Sequence, residues 1–166
     1  MSPALLVAVL LSIAYLPFAI VLSAIDVRQQ RLPNAVVLRL SLTLLVLGVA
    51  LAVLVPAARG RLAWAAGIAL VLGAGAIGAA LLSPGAIGMG DAKTLPAVVF
   101  LSCVWSIEAG IGALLGGALL AGALGAAAWW RTGRAGTRFA LGPVLLAAPF
   151  LGVLLAPAVR SVLGTA

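Results

Sequence analysis

Two aspartates are the residues of this chain best suited to chemistry. Asp26 lies in the polar segment Asp-Val-Arg-Gln-Gln-Arg-Leu-Pro-Asn, and Asp91 lies in the segment Gly-Met-Gly-Asp-Ala-Lys. The only other carboxylate among the 166 residues is Glu108, which has no motif around it. Because an ionisable group next to apolar membrane spans is costly, each motif aspartate predicts a functional site.

The residue types that the chain lacks narrow this chemistry further. It has no histidine, which excludes Ser-His and Cys-His catalysis and the His-Glu-x-x-His zinc site. The single cysteine, Cys103, lies in an apolar run and supplies neither a disulfide framework nor a zinc cluster. A Ser–Lys dyad would need Lys93, the only lysine, and no motif supports a serine partner. Two aspartates are a thin ligand set even for a hard cation, so we predict no metal and no cofactor.

A pair of aspartates can activate water. Two neighbouring carboxyl groups do not both ionise readily, so one keeps a proton as the acid and the other acts as the base. Asp26 ends the first predicted helix and Asp91 begins the fourth, so the helix dipoles predict Asp26 as the acid and Asp91 as the base. Arg28 and Arg31 would oppose this assignment if they faced Asp26.

Residues beside Asp91 have roles of their own. Gly88 and Gly90 lack side chains and let backbone or substrate approach the carboxyl group. Lys93 either orients Asp91 or marks the membrane interface.

The elements that must position these residues are membrane helices. Charged residues are 8% of the chain, against about 25% in soluble domains, and the mean hydropathy is +1.33. We predict an all-α polytopic membrane protein whose residues 1–166 form one integral-membrane domain. Its six spans are expected at residues 3–25, 35–55, 62–82, 94–105, 109–130 and 139–163; an extension of the fourth span back through the Gly-Asp motif is left open.

Turn and charge signals place the loops. Pro33 ends the first loop with Asn34 as the N-cap of the second helix, and Ser83-Pro-Gly breaks the third span. Positive charge concentrates in the first, third and fifth loops, which predicts an N-terminus outside and both aspartates at the cytoplasmic face. Residues 131–138 form the most basic loop. The net charge of +7 is assigned to anionic lipid headgroups, and no nucleic-acid partner is predicted.

These motifs resemble those of the prepilin peptidase family of membrane aspartyl proteases. Asp26-x-Arg28 followed by Leu-Pro33-Asn34 is similar to the first family motif, and Gly88-x-Gly90-Asp91-x-Lys93 to the second. A third element, Phe-Gly-Pro-Phe-Leu, corresponds here to Leu-Gly142-Pro143-Val-Leu, with both aromatic residues replaced. We interpret Gly142 and Pro143 as the start of the last helix and assign them no catalysis.

The resemblance implies a function. Asp26 and Asp91 would be the catalytic pair that removes a short basic leader, commonly after glycine, from a prepilin, pseudopilin or preflagellin precursor at the cell membrane. Family members that also methylate the new N-terminus carry an additional cytoplasmic segment with paired cysteines. Since this chain lacks those cysteines, we expect a short form without the methyltransferase domain.

Two other functions remain open from the residues. A small transporter could relay protons or cations through Asp26 and Asp91. However, both aspartates lie at one membrane edge, and no buried charge leads to the other side. A non-catalytic assembly protein is the third alternative.

Overall fold

The computed structural model describes residues 2–83, 88–133 and 140–164, and the regular structure within these ranges is helical. Every helix follows from a long apolar run ended by proline, glycine or a polar turn. The six α-helices are α1 (Pro3–Gln29), α2 (Asn34–Leu54), α3 (Arg59–Leu82), α4 (Met89–Trp105), α5 (Ile107–Thr132) and α6 (Gly142–Leu163), with a 3₁₀ turn at Pro56–Ala58.

Successive helices run in alternate directions, so the two aspartate motifs lie at the same end of the bundle. The C-terminal end of α1 and the N-terminal ends of α2, α4 and α6 meet there; we call it the motif end. At the opposite end, Trp105 of α4 donates its Nε1–H to Ser12 near the start of α1 (3.0 Å). In the centre, the buried Tyr15 donates its hydroxyl hydrogen to the carbonyl oxygen of Leu146 in α6 (3.0 Å).

Five of the six helices are long and apolar enough to cross a membrane. The exception is α4, whose 17 residues rise about 25 Å, against about 30 Å for a hydrocarbon core. Large apolar side chains are exposed along the spanning helices; for example, Leu54 is 75% and Leu70 73% exposed. The prediction of a multi-pass helical membrane protein is therefore confirmed, with five helices meeting the criteria for a span.

Small residues allow the helices to approach closely. On α5, a Cβ at Gly112 would lie 3.1 Å from the carbonyl oxygen of Gly152, and one at Gly116 would lie 2.8 Å from Leu155. The Gly-x-x-x-Gly spacing in α5 is therefore a packing face against α6. A Cβ at Gly73 of α3 would overlap the ring of Pro96 in α4.

Four predicted boundaries differ from the structure by three or more residues. The third helix begins at Arg59, not at residue 62. The first helix continues past residue 25 to Gln29 and ends where Gln30 adopts a left-handed conformation (φ 50°), so Asp26 is a helical residue. The fourth helix begins at Met89 and includes the Gly-Asp motif. The last helix begins at Gly142, not at residue 139. Pro84, Gly85 and residues 134–139, which hold most of the predicted basic loop, lie outside the described residues.

Candidate active site

Asp26 is a buried carboxyl group near the C-terminal end of α1. Its residue is 5% exposed, and its Oδ2 accepts a hydrogen bond from the backbone N–H of Gly142 (2.8 Å). Gly142 is the first residue of α6, whose free N–H groups form the positive end of that helix. The carboxylate of α1 therefore meets the N-terminus of a helix that begins 116 residues later in the chain.

Asp91 lies in the first turn of α4, outside the apolar part of the helix. Gly88 is the N-cap of this helix, and a Cβ there would lie 2.9 Å from Oδ2 of Asp91. Burial, and secondarily the negative charge of Asp26, raise the pKa of Asp91 from 3.8 to about 6. The two carboxyl groups thus interact electrostatically, and Asp91 holds its proton closer to neutral pH than an ordinary aspartate.

Two contacts hold the first and second motifs together. A Cβ at Gly90 would lie 3.0 Å from Cβ of Leu32, so only glycine lets the two segments meet at this distance. Nearby, the Lys93 ammonium donates to Oδ1 of Asn34 (3.3 Å). These contacts keep the aspartate of α4 beside the end of α1.

Some predicted supporting residues have a different role in the structure. Asn34 is not the N-cap of α2: Pro33 occupies that position, and the Asn34 side chain accepts from Lys93 instead. Arg28 is exposed on the last turn of α1. Pro143 follows Gly142 in the first turn of α6, as expected for the start of a helix.

The sequence did not predict the hydrogen bonds of two residues at the motif end, Gly142 and Thr94. Gly142 was assigned only a helix start, yet its N–H binds Asp26. Thr94 is fully buried one turn after Gly90 and donates its hydroxyl hydrogen to the carbonyl oxygen of that glycine (2.8 Å). The Gly-Pro pair predicts where α6 begins but not the contact of Gly142 with Asp26, and nothing in the sequence distinguished Thr94.

Glu108 lies away from this site, at the opposite end. It occupies the first turn of α5 and not a loop, and it pairs with Nε of Arg160 (3.7 Å). Within residues 2–83, 88–133 and 140–164, no three His, Cys, Asp or Glu side chains come together in a metal-binding group.

The arrangement therefore brings one hydrogen-bond-accepting carboxylate next to one carboxyl group with a raised pKa. A carboxylate and a protonated carboxyl group that both reach one water molecule can act on it as base and acid.

Comparison with known protein families shows the family of the chain. The sequence model of the Type IV leader peptidase family matches residues 13–156, which include all three motifs. The chain belongs to the Type IV leader peptidase family, as the resemblance of its motifs predicts. No curated protein and no solved structure matches the chain.

Proposed function

We propose that this chain is an aspartyl endopeptidase that removes the short basic leader of a type IV prepilin-like precursor. The observation that carries the proposal is the meeting of Asp26 and Asp91, from separate motifs, at one end of the bundle. Their electrostatic coupling is the property that a two-aspartate protease requires. Membership in a leader peptidase family supplies the reaction class.

Asp26 serves as the base in this mechanism. Its Oδ2 accepts the Gly142 N–H, so that oxygen carries no proton. Asp26 removes a proton from water while the water oxygen attacks the scissile carbonyl carbon. Asp91 donates its proton to the carbonyl oxygen and produces a neutral diol.

The second half of the reaction restores both groups. The diol returns a hydroxyl proton to Asp91 as the C–N bond breaks, and Asp26 gives its proton to the leaving amine. One water is consumed, and no covalent intermediate forms.

This division of labour is the reverse of that predicted from helix dipoles. The dipole argument considered only the helix that carries each aspartate. Asp26 also faces the positive end of α6, and Asp91 loses hydration in the bundle, which raises its pKa to about 6. Both observations favour Asp26 as the base and Asp91 as the acid.

The substrate is a prepilin, pseudopilin or preflagellin precursor, with its leader in the cytoplasm and its apolar helix in the cell membrane. The motif end then faces the cytoplasm, and the N-terminus of α1 lies outside. Exposed Arg28 and Arg31 are placed at this end, where anionic lipid headgroups would stabilise them. We propose a single peptidase domain and no methylation of the product.

Co-expression with a precursor tests the function. The probe is a short Lys-rich leader ending in glycine, followed by an apolar helix of about 20 residues. We expect the wild type to remove the leader and both Asp26→Asn and Asp91→Asn to leave it uncut. Glu108→Gln is the control and should cleave normally, since Glu108 lies at the opposite end of the bundle.

The same samples separate the alternatives. Unchanged cleavage in either aspartate variant rejects the two-aspartate mechanism. No cleavage by the folded wild type would favour a transporter or an assembly protein instead. The intact mass of the product checks the short form, which should leave an unmethylated N-terminus.

A further inference from the structure

We propose that Gly142 is a positioning residue for the reaction, whose backbone N–H at the N-terminus of α6 orients the Asp26 carboxylate. This inference rests on the proposed peptidase function. It gives the third motif a role beyond starting a helix.

The hydrogen bond of Asp26 links two helices, unlike the bonds that the buried serine and threonine hydroxyl groups donate. Ser12, Thr94 and Ser102 each donate to a carbonyl oxygen four residues earlier in their own helix. Such bonds satisfy a hydroxyl group without fixing one helix against another. Asp26 instead accepts from α6, across 116 residues of sequence. The position of its carboxylate therefore depends on where α6 begins.

The chemistry of the helix start makes this N–H a suitable donor. The first N–H groups of a helix have no partner within it, and in α6 no side chain caps the N-terminus. Pro143 has no N–H, so the next residue offers no substitute donor. Asp26 thus fills the place of a capping side chain for α6, and the hydrogen bond holds its Oδ2 at the start of that helix.

Glycine is required at this position because of the close approach of α1. A Cβ on residue 142 would lie 2.6 Å from Oδ2, 2.9 Å from Cγ and 3.0 Å from Cβ of Asp26. Contacts below 3.0 Å force a side chain or a helix to move. Even alanine would therefore displace the carboxylate or the start of α6.

Few titratable groups face Asp26 from the helices packed around it. Asp91 on α4 interacts with it directly, and Lys93 on the same helix donates to Asn34. Arg28, on its own helix, is exposed. The first two turns of α6 contain no titratable residue.

Removing only the N–H tests the proposal. Full-length chain made by cell-free translation into nanodiscs can carry glycolic acid in place of Gly142, which replaces the amide by an ester and adds no atoms. With the model precursor as substrate, we expect kcat to fall roughly 10- to 100-fold, the loss expected for one hydrogen bond to a charged group, with KM unchanged. A loss confined to kcat is the sign of an interaction that acts in the transition state and not in substrate binding.

A matched ester controls for the altered backbone. Glycolic acid in place of Gly122, which has open space around it in α5, should leave kcat unchanged. Solid-state NMR gives a readout that is independent of activity. In the Asp91→Asn chain, labelled with ¹⁵N-glycine and ¹³Cγ-aspartate, the one remaining aspartate signal should be dephased by a nearby glycine nitrogen. Adding Gly142→Ala should abolish that dephasing.

The outcomes separate this inference from the function on which it rests. If Asp26→Asn abolishes cleavage but the Gly142 ester keeps kcat within twofold of the wild type, the positioning role is rejected and the peptidase stands. If Asp26→Asn cleaves like the wild type, the proposed function fails and the positioning role fails with it.

Discussion

The carboxyl groups at the two ends of the bundle have different kinds of partner. At the opposite end, Glu108 pairs with the guanidinium of Arg160, which is 53% exposed. At the motif end, Asp26 is buried and bound by a backbone N–H, and Asp91 is half-buried beside it. Among the residues that the structure describes, Glu108 is the only carboxylate in a salt bridge, although Arg28, Arg31 and Lys93 lie close to the motif aspartates in sequence.

This difference indicates what each end is built for. A carboxylate paired with a cation is neutralised and serves packing or topology. A carboxylate held by an uncharged N–H is oriented without a counter-ion, and a neighbouring carboxyl group with a raised pKa keeps a proton to donate. Lys93, which could neutralise Asp91, donates to Asn34 instead. Contacts at the motif end thus orient the Asp26 carboxylate without pairing it with a cationic side chain.

Among conservative substitutions, the largest expected effect comes from lengthening the Asp26 side chain by one methylene. Asp26→Glu keeps the carboxyl group but lengthens a buried side chain that already touches the start of α6. A displacement of about 1 Å at a reacting group costs on the order of 100-fold in kcat. Steady-state cleavage of the model precursor by purified enzyme in nanodiscs measures this loss.

Glu108→Asp is the matched change at the opposite end. It weakens only a partly exposed ion pair, so cleavage should stay within about twofold of the wild type. Equal losses in both variants would contradict the division between a reactive and a structural end.

The second expected effect is a pH dependence of cleavage that comes from the protonation of Asp91. Because Asp91 must be protonated to act as the acid, cleavage should fall as the pH rises above about 6. Aspartate occurs only twice in the chain, so ¹³Cγ-aspartate labelling gives two NMR signals that report these carboxyl groups directly. In Asp26→Asn, the midpoint of the Asp91 signal should be lower than in the wild type, since the Asp26 charge no longer opposes ionisation.

Stability should change in the same pH window. The folded chain keeps the Asp91 proton between pH 3.8 and about 6, where the unfolded chain has lost it. The free energy of unfolding should therefore decrease as the pH rises through this window, and Asp91→Asn should lack that decrease. An Asp91 midpoint near 3.8 in the folded wild type would contradict the interpretation of Asp91 as the acid.

The sequence predicts the helices and the pair of aspartates, because both depend on local information. Long apolar runs define the spans, and the absence of histidine leaves Asp26 and Asp91 as the only motif-bound acids. The N–H of Gly142 at Asp26 was not predictable, since it depends on how α1 and α6 pack across 116 residues. The dipole argument favours the opposite assignment of acid and base from the one proposed above, because it includes only the helix on which each aspartate lies.

The small errors in the prediction of helix ends came from contacts that sequence propensity does not include. Asparagine is a favourable N-cap residue, but the side chain of Asn34 accepts a hydrogen bond from Lys93, 59 residues away in sequence. Asp26 was placed at the end of α1, whereas the helix continues for three residues to Gln29. Both features result from packing at the motif end, which propensity does not describe.

The smallest expected effect tests whether the opposite end is purely structural. Trp105 donates its Nε1–H to Ser12 (3.0 Å) and joins the end of α4 to the start of α1. Trp105→Phe removes this donor, while Ser12 keeps its bond to the carbonyl oxygen of Ala8. The free energy of unfolding should fall by about 0.5–1.5 kcal/mol, the net contribution of one hydrogen bond.

Trp64→Phe is the matched control, because Trp64 is 76% exposed on α3. Unfolding by SDS titration in mixed micelles should show a loss for Trp105→Phe that Trp64→Phe does not share. Cleavage of the model precursor should be unchanged in both variants. A loss of kcat in Trp105→Phe comparable with that of Asp26→Glu would mean that the far end of α4 also positions Asp91, and the two ends would then form one functional unit.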